Sequence, residues 1–403
     1  MRTLLVFCLV LTALLHPPAA AQLPPQPPAR AILPAGADTN RAASYYTYGL
    51  AMLDSRPEEA ADAFYWATRL EPGWADAWYA RRIAMIVARP ELVGTFLQRA
   101  NGKEGRNAQR LSETDSLYLH ALALDPFVAQ RLDWRAMLPF LRNLAPRELR
   151  EKAGPTALEG MLRMAAADHP EMEGLIALAD GRYPDALESY AEMQQGVSSP
   201  SGIHAERARL FLWTDQPDSA LAEMRQAVAQ IDKGRGRVLF RLDSRALLEH
   251  SVGVILERLG DRDGAREAYL RAARADTLYH PAHAALSSLA LAAGDTAGAL
   301  REMELAVRIR PDDPTLRYQY GRKLAFAGRR DEAEAQVREA LRLEPLYAPS
   351  YALLGGLLEM RGEPAKGLEQ YRAFMAHASR EHALVPAIEE RISALAATAP
   401  ATP

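Results

Sequence analysis

The chain contains a single cysteine, Cys8, among its 403 residues. Cys8 lies in an apolar stretch, residues 4–15, which we interpret as part of an export signal covering residues 1–21. Once the signal is removed, the mature chain would have no thiol, which excludes disulfides, thiolate metal sites, haem attachment and a cysteine nucleophile. The stability of the mature protein would then depend on core packing.

Long apolar runs are missing from the rest of the chain. The stretch of residues 4–15 is itself too short to span a bilayer, and three alanines, residues 19–21, place small side chains at the cleavage positions. We therefore predict cleavage before Gln22, a periplasmic or secreted location, and no integral membrane segment in the mature protein. An uncleaved N-terminal anchor is the alternative.

Charge of one sign is not in excess. The formal net charge is −3, with 48 Lys and Arg against 51 Asp and Glu. Without a basic excess to attract phosphates, we predict no nucleic-acid partner. Arginine greatly outnumbers lysine, which we attribute to a GC-rich genome because these residues are scattered along outward helix faces. Binding of carboxylates or phosphates by arginine is the alternative interpretation.

Sequence signatures of catalysis are also missing. There is no H-E-x-x-H, no G-x-x-x-x-G-K-[ST] and no G-x-S-x-G, and the glycines at 234 and 236 lack a third glycine and a preceding strand. His280 and His283 form an H-x-x-H pair, but only Asp276 could add a ligand, and zinc needs more. We predict no catalytic residue, no cofactor and no metal.

What the chain does contain is a period of 34 residues. Four glycines follow one another at this interval, and a second column of small residues keeps the same step. A 34-residue period is typical of stacked helix–turn–helix units. The two columns are Gly260, Gly294, Gly328 and Gly362, and Gly253, Ser287, Gly321 and Gly355.

Apolar residues fall into register with these columns at steps of three and four, which predicts two amphipathic helices per unit. The small residues would let the two helices cross closely, and one larger side chain per unit would fill the groove between them. Those larger residues are Tyr269, Met303, Val337 and Tyr371.

At this point the sequence resembles the tetratricopeptide repeat family. The unit between Pro311 and Pro345 carries the small–large–small set at the family's spacing, whereas the family's first-helix Trp is replaced by His283, Arg317 and Tyr351. The resemblance implies an all-α, right-handed α-solenoid. The predicted divisions are signal peptide 1–21, Pro-rich disordered linker 22–39, N-terminal repeat-like helix pairs 40–100, degenerate helical region 101–170, divergent repeats 171–244 with an insertion at 233–243, four regular repeats 245–376, capping helix 380–396 and disordered tail 397–403.

The resemblance also implies a concave face lined by first-helix residues, and a protein or peptide as partner. The family's acidic-tail clamp uses Lys and Asn at paired groove positions, which this chain lacks, so that mode of binding is not expected. Alanines at 284 and 352, with Val254, Leu291 and Gly356, would complete the face. The predicted groove residues are His250, Glu257, Arg258, Ser288, Tyr318, Arg322, Phe326, Glu359 and Met360.

Three functions remain open from the sequence. The first is an exported scaffold that binds proteins at the bacterial cell envelope. The second is an enzyme with a site in region 101–170 or in the 233–243 insertion, and the third is a structural array that associates end to end. The titratable residues available to the enzyme are Glu104, Asp115, His120, Asp125 and Asp133.

Overall fold

The computed structural model describes residues 27–89, 113–128, 132–135, 138, 155–166, 169–196, 201–231 and 244–398. Contacts divide the chain into two units, Met1–Arg30 and Ala31–Pro403. Of the first unit only residues 27–30 are described, and they are not helical. The predicted signal peptide, the 233–243 insertion and the end of the tail lie outside the described residues.

The described part of the second unit is helical and contains no strand, which confirms the predicted α-solenoid fold. None of the helices described is both long and apolar enough to span a bilayer. The helices are α1 Ala42–Met52, α2 Pro57–Leu70, α3 Ala75–Ala88, α4 Glu113–Leu124, α5 Pro155–Ala166, α6 Pro170–Ala179, α7 Tyr183–Gly196, α8 Ser201–Trp213, α9 Pro217–Gln230, α10 Arg245–Arg258, α11 Arg262–Ala275, α12 His280–Ala292, α13 Thr296–Ile309, α14 Pro314–Phe326, α15 Arg330–Leu343, α16 Ala348–Met360, α17 Pro364–His377 and α18 Val385–Thr398. From α6 to α17 consecutive helices pack on each other in pairs and each pair packs on the next, and α1 to α4 also pack in succession.

The four turn glycines lie at turns between helices, as the 34-residue period predicts. Each of the four has a positive φ, between 76° and 85°, a backbone conformation that costs glycine little. The column extends upstream, because Gly181 has φ 74° and Asp215, 34 residues later, has φ 57°. Aspartate tolerates this left-handed region better than most residues. The two divergent turns therefore keep the 34-residue spacing between themselves, and the same left-handed turn conformation as the regular repeats.

The second small column marks where paired helices cross. A Cβ added to Gly253 would lie 2.3 Å from the ring of Tyr269, and one added to Gly355 would lie 2.5 Å from the ring of Tyr371. At Ser287 the hydroxyl donates a 2.6 Å hydrogen bond to the carbonyl of Ala299 in the partner helix. Helix pairs can approach this closely only because the residue at the crossing is small.

The two ends of the helical array meet. The Asn40 amide donates to the Ala376 carbonyl at 2.8 Å, and the Asp38 carboxylate accepts from the Arg380 amide at 2.9 Å. Farther along, Arg69 at the end of α2 pairs with Glu344 at 2.7 Å. The repeats thus wrap round until the last one contacts the first helix pair, and we call this the end-to-end contact.

Two predicted boundaries differ from the structure. The linker was expected to be a disordered tether up to residue 39, but Ala31 and Leu33 pack against the buried cluster of Ala42 and Tyr45. The packing of these apolar side chains fixes the end of the Pro-rich segment against the first helix pair. The capping helix begins at Val385, not residue 380, because hydrogen-bonded turns occupy the preceding residues, and it extends to Thr398.

Candidate partner-binding surface

The first helices of the repeats carry the predicted groove residues, and they divide into three groups. One group lies next to α4, a helix outside the regular repeats that contacts the first helix α12. Between them lies a cavity of about 340 Å³ that His250, Glu257 and Ser288 line. Their predicted neighbours Val254 and Ala284 line it as well. In this part of the molecule His250 is covered, whereas Glu257 and Ser288 remain exposed.

His250 lies below the surface and is only 6% exposed. Its ring packs 5.2 Å from that of Tyr269 and 5.5 Å from that of Tyr279, measured between centroids. Burial lowers the pKa of His250 to about 4 and that of His280, on the same cavity, to about 4. Both imidazoles are therefore neutral at pH 7.

The second group remains accessible on α14 and α16. Phe326 is 73% exposed and Met360 54% exposed, and they occupy the same position in successive repeats, two residues before the turn glycine. One turn before Phe326, the Arg322 guanidinium lies 5.9 Å from the centre of the Tyr318 ring. The Tyr318 ring packs edge-on against Tyr347 at 5.2 Å.

Lys323, next to Arg322, is a part of this surface that the sequence reasoning did not identify. Burial, with the neighbouring Arg322 charge, lowers the pKa of Lys323. Within the described ranges neither cation forms an ion pair with a carboxylate. Two neighbouring positive charges without an anion make a site that favours a carboxylate from outside.

Tyr347 was also missed, although the period contained a signal for it. Tyr279, Asp313 and Tyr347 are spaced by 34 residues, and each is the N-cap residue of a first helix. The column therefore places a side chain at the start of each first helix.

The remaining predicted residues are held by neighbours. The Tyr269 hydroxyl donates to Glu257, and Arg258 pairs with Asp215 at 2.7 Å. Glu359 accepts a 3.1 Å hydrogen bond from the Tyr371 hydroxyl and pairs with Arg391 of α18. Arg258 therefore contacts the turn between α8 and α9, and Glu359 links α16 to α17 and α18.

The carboxylates proposed for an enzyme are dispersed. Asp133 is buried, accepts a hydrogen bond from the Tyr79 hydroxyl, and has a pKa that burial raises to about 7 in spite of nearby Arg82. His120 and Asp125 line the 340 Å³ cavity instead. Asp115 is buried in α4, and Glu104 lies outside the described residues.

Metal ligands do not converge in the described part of the chain, where no group of three His, Cys, Asp or Glu side chains could hold an ion. His283 instead bonds to Glu302 at 2.8 Å. This contact joins the two helices of one repeat, which agrees with a packing position for His283.

Comparison with known proteins gives a family for part of the chain. The model of the tetratricopeptide repeat family matches residues 290–366. No curated protein matches the chain.

Among solved structures, the chain is similar to PilF of Pseudomonas aeruginosa, with 19% identity over 58% of this chain and 98% of that one, at a TM-score of 0.44. It is also similar to the C-terminal part of a repeat-containing protein of Cytophaga hutchinsonii, with 16% identity over 57% and 96% of the two chains and a TM-score of 0.44. YrrB, a repeat protein described as having an unusual peptide-binding site, shows 20% identity over 51% and 100%, with a TM-score of 0.40. The family match assigns tetratricopeptide repeats to residues 290–366, which lie within the stretch where the helix pairs keep the 34-residue period.

Proposed function

We propose that this protein is an exported scaffold that binds a segment of another protein through one accessible surface. We call it the α14–α16 surface, and it consists of Tyr318, Arg322, Lys323, Phe326 and Met360. The observation that carries the proposal is the combination, on one helix, of two cations that lack carboxylate partners among the described residues and a 73%-exposed phenylalanine. Exposed apolar side chains beside polar ones are typical of interaction sites.

The chemistry of the surface specifies the partner segment. An arginine next to a lysine favours a carboxylate, and arginine can bind it through two hydrogen bonds. Phe326 and Met360 favour an apolar or aromatic side chain, and flexible methionine adapts to different shapes. The matching partner is an acidic peptide or helix that presents a carboxylate and an apolar anchor about one helical turn apart.

Export is the second element of the proposal. It is supported by the sequence features of residues 1–21, namely Arg2, the apolar stretch and the three alanines. N-terminal sequencing of protein from the native cells is expected to begin at Gln22. A mature chain that begins at Met1 would contradict cleavage, and protein found only in the cytoplasm would contradict export; neither result would affect the proposed surface.

Site-specific photo-crosslinking in the native cells tests the surface. A photo-reactive phenylalanine at position 326 is expected to capture a discrete partner. The same group at Arg342, whose side chain is 66% exposed on the second helix of that repeat, serves as the control and is expected to capture none.

Arg322→Glu is expected to lower the yield at position 326 about tenfold, since a charge-assisted hydrogen bond contributes on the order of 1.5–3 kcal/mol. Arg342→Glu is the matched charge reversal and should leave the yield unchanged. Equal effects of the two reversals, or equal capture at both positions, would contradict the proposed surface.

A further inference from the structure

The 340 Å³ cavity between α4 and the first helices of the repeats has an unusual lining. Among the described residues it holds three carboxylates, Asp125, Glu257 and Asp313, but no lysine or arginine. Its remaining polar groups include His250 and His280. Its volume lies at the lower end of the range for small-ligand pockets.

A second observation points to a ligand. His250 is only 6% exposed and lines the cavity, yet its Nδ1 atom has no hydrogen-bond partner in the described structure. The Nδ1 atom of His280, also on the cavity, is buried without a partner too. No hydrogen bond from the described residues holds either imidazole ring, and buried polar side chains are nearly always hydrogen-bonded, so two such rings on one cavity point to a group from outside that bonds to them.

The carboxylates keep acceptor capacity that the fold does not use. Asp313 caps α14 through Oδ1, which accepts from the amides of Thr315 and Leu316, and Asp125 accepts from Phe127 through Oδ1. Glu257 accepts the Tyr269 hydroxyl through Oε2. Each carboxylate therefore has a second oxygen outside these hydrogen bonds, and a carboxylate can accept at both.

Two arginines whose charges act on groups of the cavity are each paired with a carboxylate. Arg310 affects the charge of His280 and pairs with Asp312 at 3.3 Å. Arg209, near Asp125, pairs with Glu206 at 2.7 Å. Because His250 and His280 are neutral at pH 7, they add acceptors and no positive charge.

We propose that this cavity binds an organic cation, an ammonium or guanidinium group on a short apolar stem. Its N–H groups would donate to Glu257, Asp313 and a ring nitrogen of His250 or His280, and its stem would pack on Leu124, Val254 and Leu316. The cation comes either from a free diamine or from a Lys or Arg side chain of another protein. This site is independent of the α14–α16 surface.

Calorimetric titration of the mature chain distinguishes these sources. The probes are agmatine and cadaverine as free cations, acetyl-Ala-Arg-Ala-amide as the side-chain form, and 1,5-pentanediol as a neutral control. We expect binding of at least one cationic probe and none of the diol. Binding of agmatine or cadaverine without the peptide indicates a free diamine, and binding of the peptide indicates a protein side chain.

Glu257→Gln is expected to lower the affinity for the bound probe about tenfold, which is the effect of losing one charge-assisted hydrogen bond. The amide can still accept the Tyr269 hydroxyl, so the fold should be retained, which circular dichroism and thermal melting would verify. Glu369→Gln, on the exposed face of α17, is the matched control and should have no effect.

His250→Phe is the second variant and should also weaken binding. No binding of any cation, equal binding of the diol, or binding of zinc alone with none of the amines would overturn the proposal.

Discussion

Single small residues set how closely the paired helices pack in this protein. The residue at the crossing is glycine or serine in each regular repeat, and the opposing side chain fills the space above it. In the repeat of α16 and α17 two glycines stand side by side, but only one faces the partner helix. Gly355 lies against the Tyr371 ring, whereas a Cβ on Gly356 would come no closer than 3.7 Å, to the tyrosine hydroxyl.

This pair allows a prediction at the residue scale. Gly355→Ala should lower the free energy of unfolding by about 1–3 kcal/mol, because its Cβ would overlap the Tyr371 ring at 2.5 Å. Gly356→Ala should raise it by about 0.5–1 kcal/mol, because alanine favours a helix and has room. Urea unfolding of both variants measures the difference. Equal stability would show that the crossing tolerates a methyl group.

The start of the second helix is capped in two different ways along the array. In α11 and α13 an aspartate side chain accepts from the amide of a glycine three residues later, as Asp295 does from Gly298 at 2.7 Å. In α15 the same two positions hold Arg329 and Glu332, which form an ion pair. Both arrangements stabilise the first turn, one through hydrogen-bonded amides and the other through opposite charges.

At the scale of the helix, Asp295 and Gly298 should act as a unit. Asp295→Ala should lower the free energy of unfolding by about 1 kcal/mol, because the helix loses its N-cap hydrogen bond. Gly298→Ala should cost a similar amount in the wild type, because its Cβ would lie 2.1 Å from the aspartate Oδ2 and displace the carboxylate. In the Asp295→Ala background the same change should become neutral or stabilising. A double-mutant cycle by thermal or urea unfolding measures this coupling, and additive effects would contradict it.

At the scale of the whole molecule, the end-to-end contact joins parts that no local rule connects. Its most buried ion pair is Arg69–Glu344, in which the carboxylate side chain is only 5% exposed. Burial raises the pKa of Glu344 to about 7 although Arg69 opposes the shift. Desolvation of the carboxylate therefore outweighs its attraction to the arginine, as is common for buried pairs.

The sign of the pH dependence follows from this shift. The folded carboxyl holds its proton more tightly than the unfolded one, so its stabilising contribution is complete below about pH 4.5 and is lost as the pH rises to about 7. Glu344→Gln resembles the protonated form, so it should match the wild type near pH 4.5 and be more stable at pH 8. At pH 8 the free energy of unfolding of the variant should exceed that of the wild type by on the order of 3 kcal/mol at most.

Thermal melting from pH 4.5 to 8 measures the difference. Glu339→Gln is the control. Arg342 lowers the pKa of Glu339, so this variant should not be more stable than the wild type at pH 8. A Glu344→Gln variant that is less stable than the wild type at pH 8 would show that the ion pair dominates.

The repeats, their turns and their crossings followed from the sequence because each depends on residues within one or two periods of 34. The turn glycines, the small column and the large residues opposite it are all such local features, and the structure confirms them. The resemblance also assigned Tyr318, Arg322, Phe326 and Met360 to the first-helix face, and their role in binding a partner stays a prediction.

Only the tertiary structure decided which part of the predicted groove stays open. The contact of Asn40 with Ala376 joins residues 336 positions apart, and α4 covers His250 from a region without repeats. No periodic pattern encodes such contacts. The pKa values of His250, Asp133 and Glu344 depend on how much water those contacts exclude, so they too could not be predicted from the sequence.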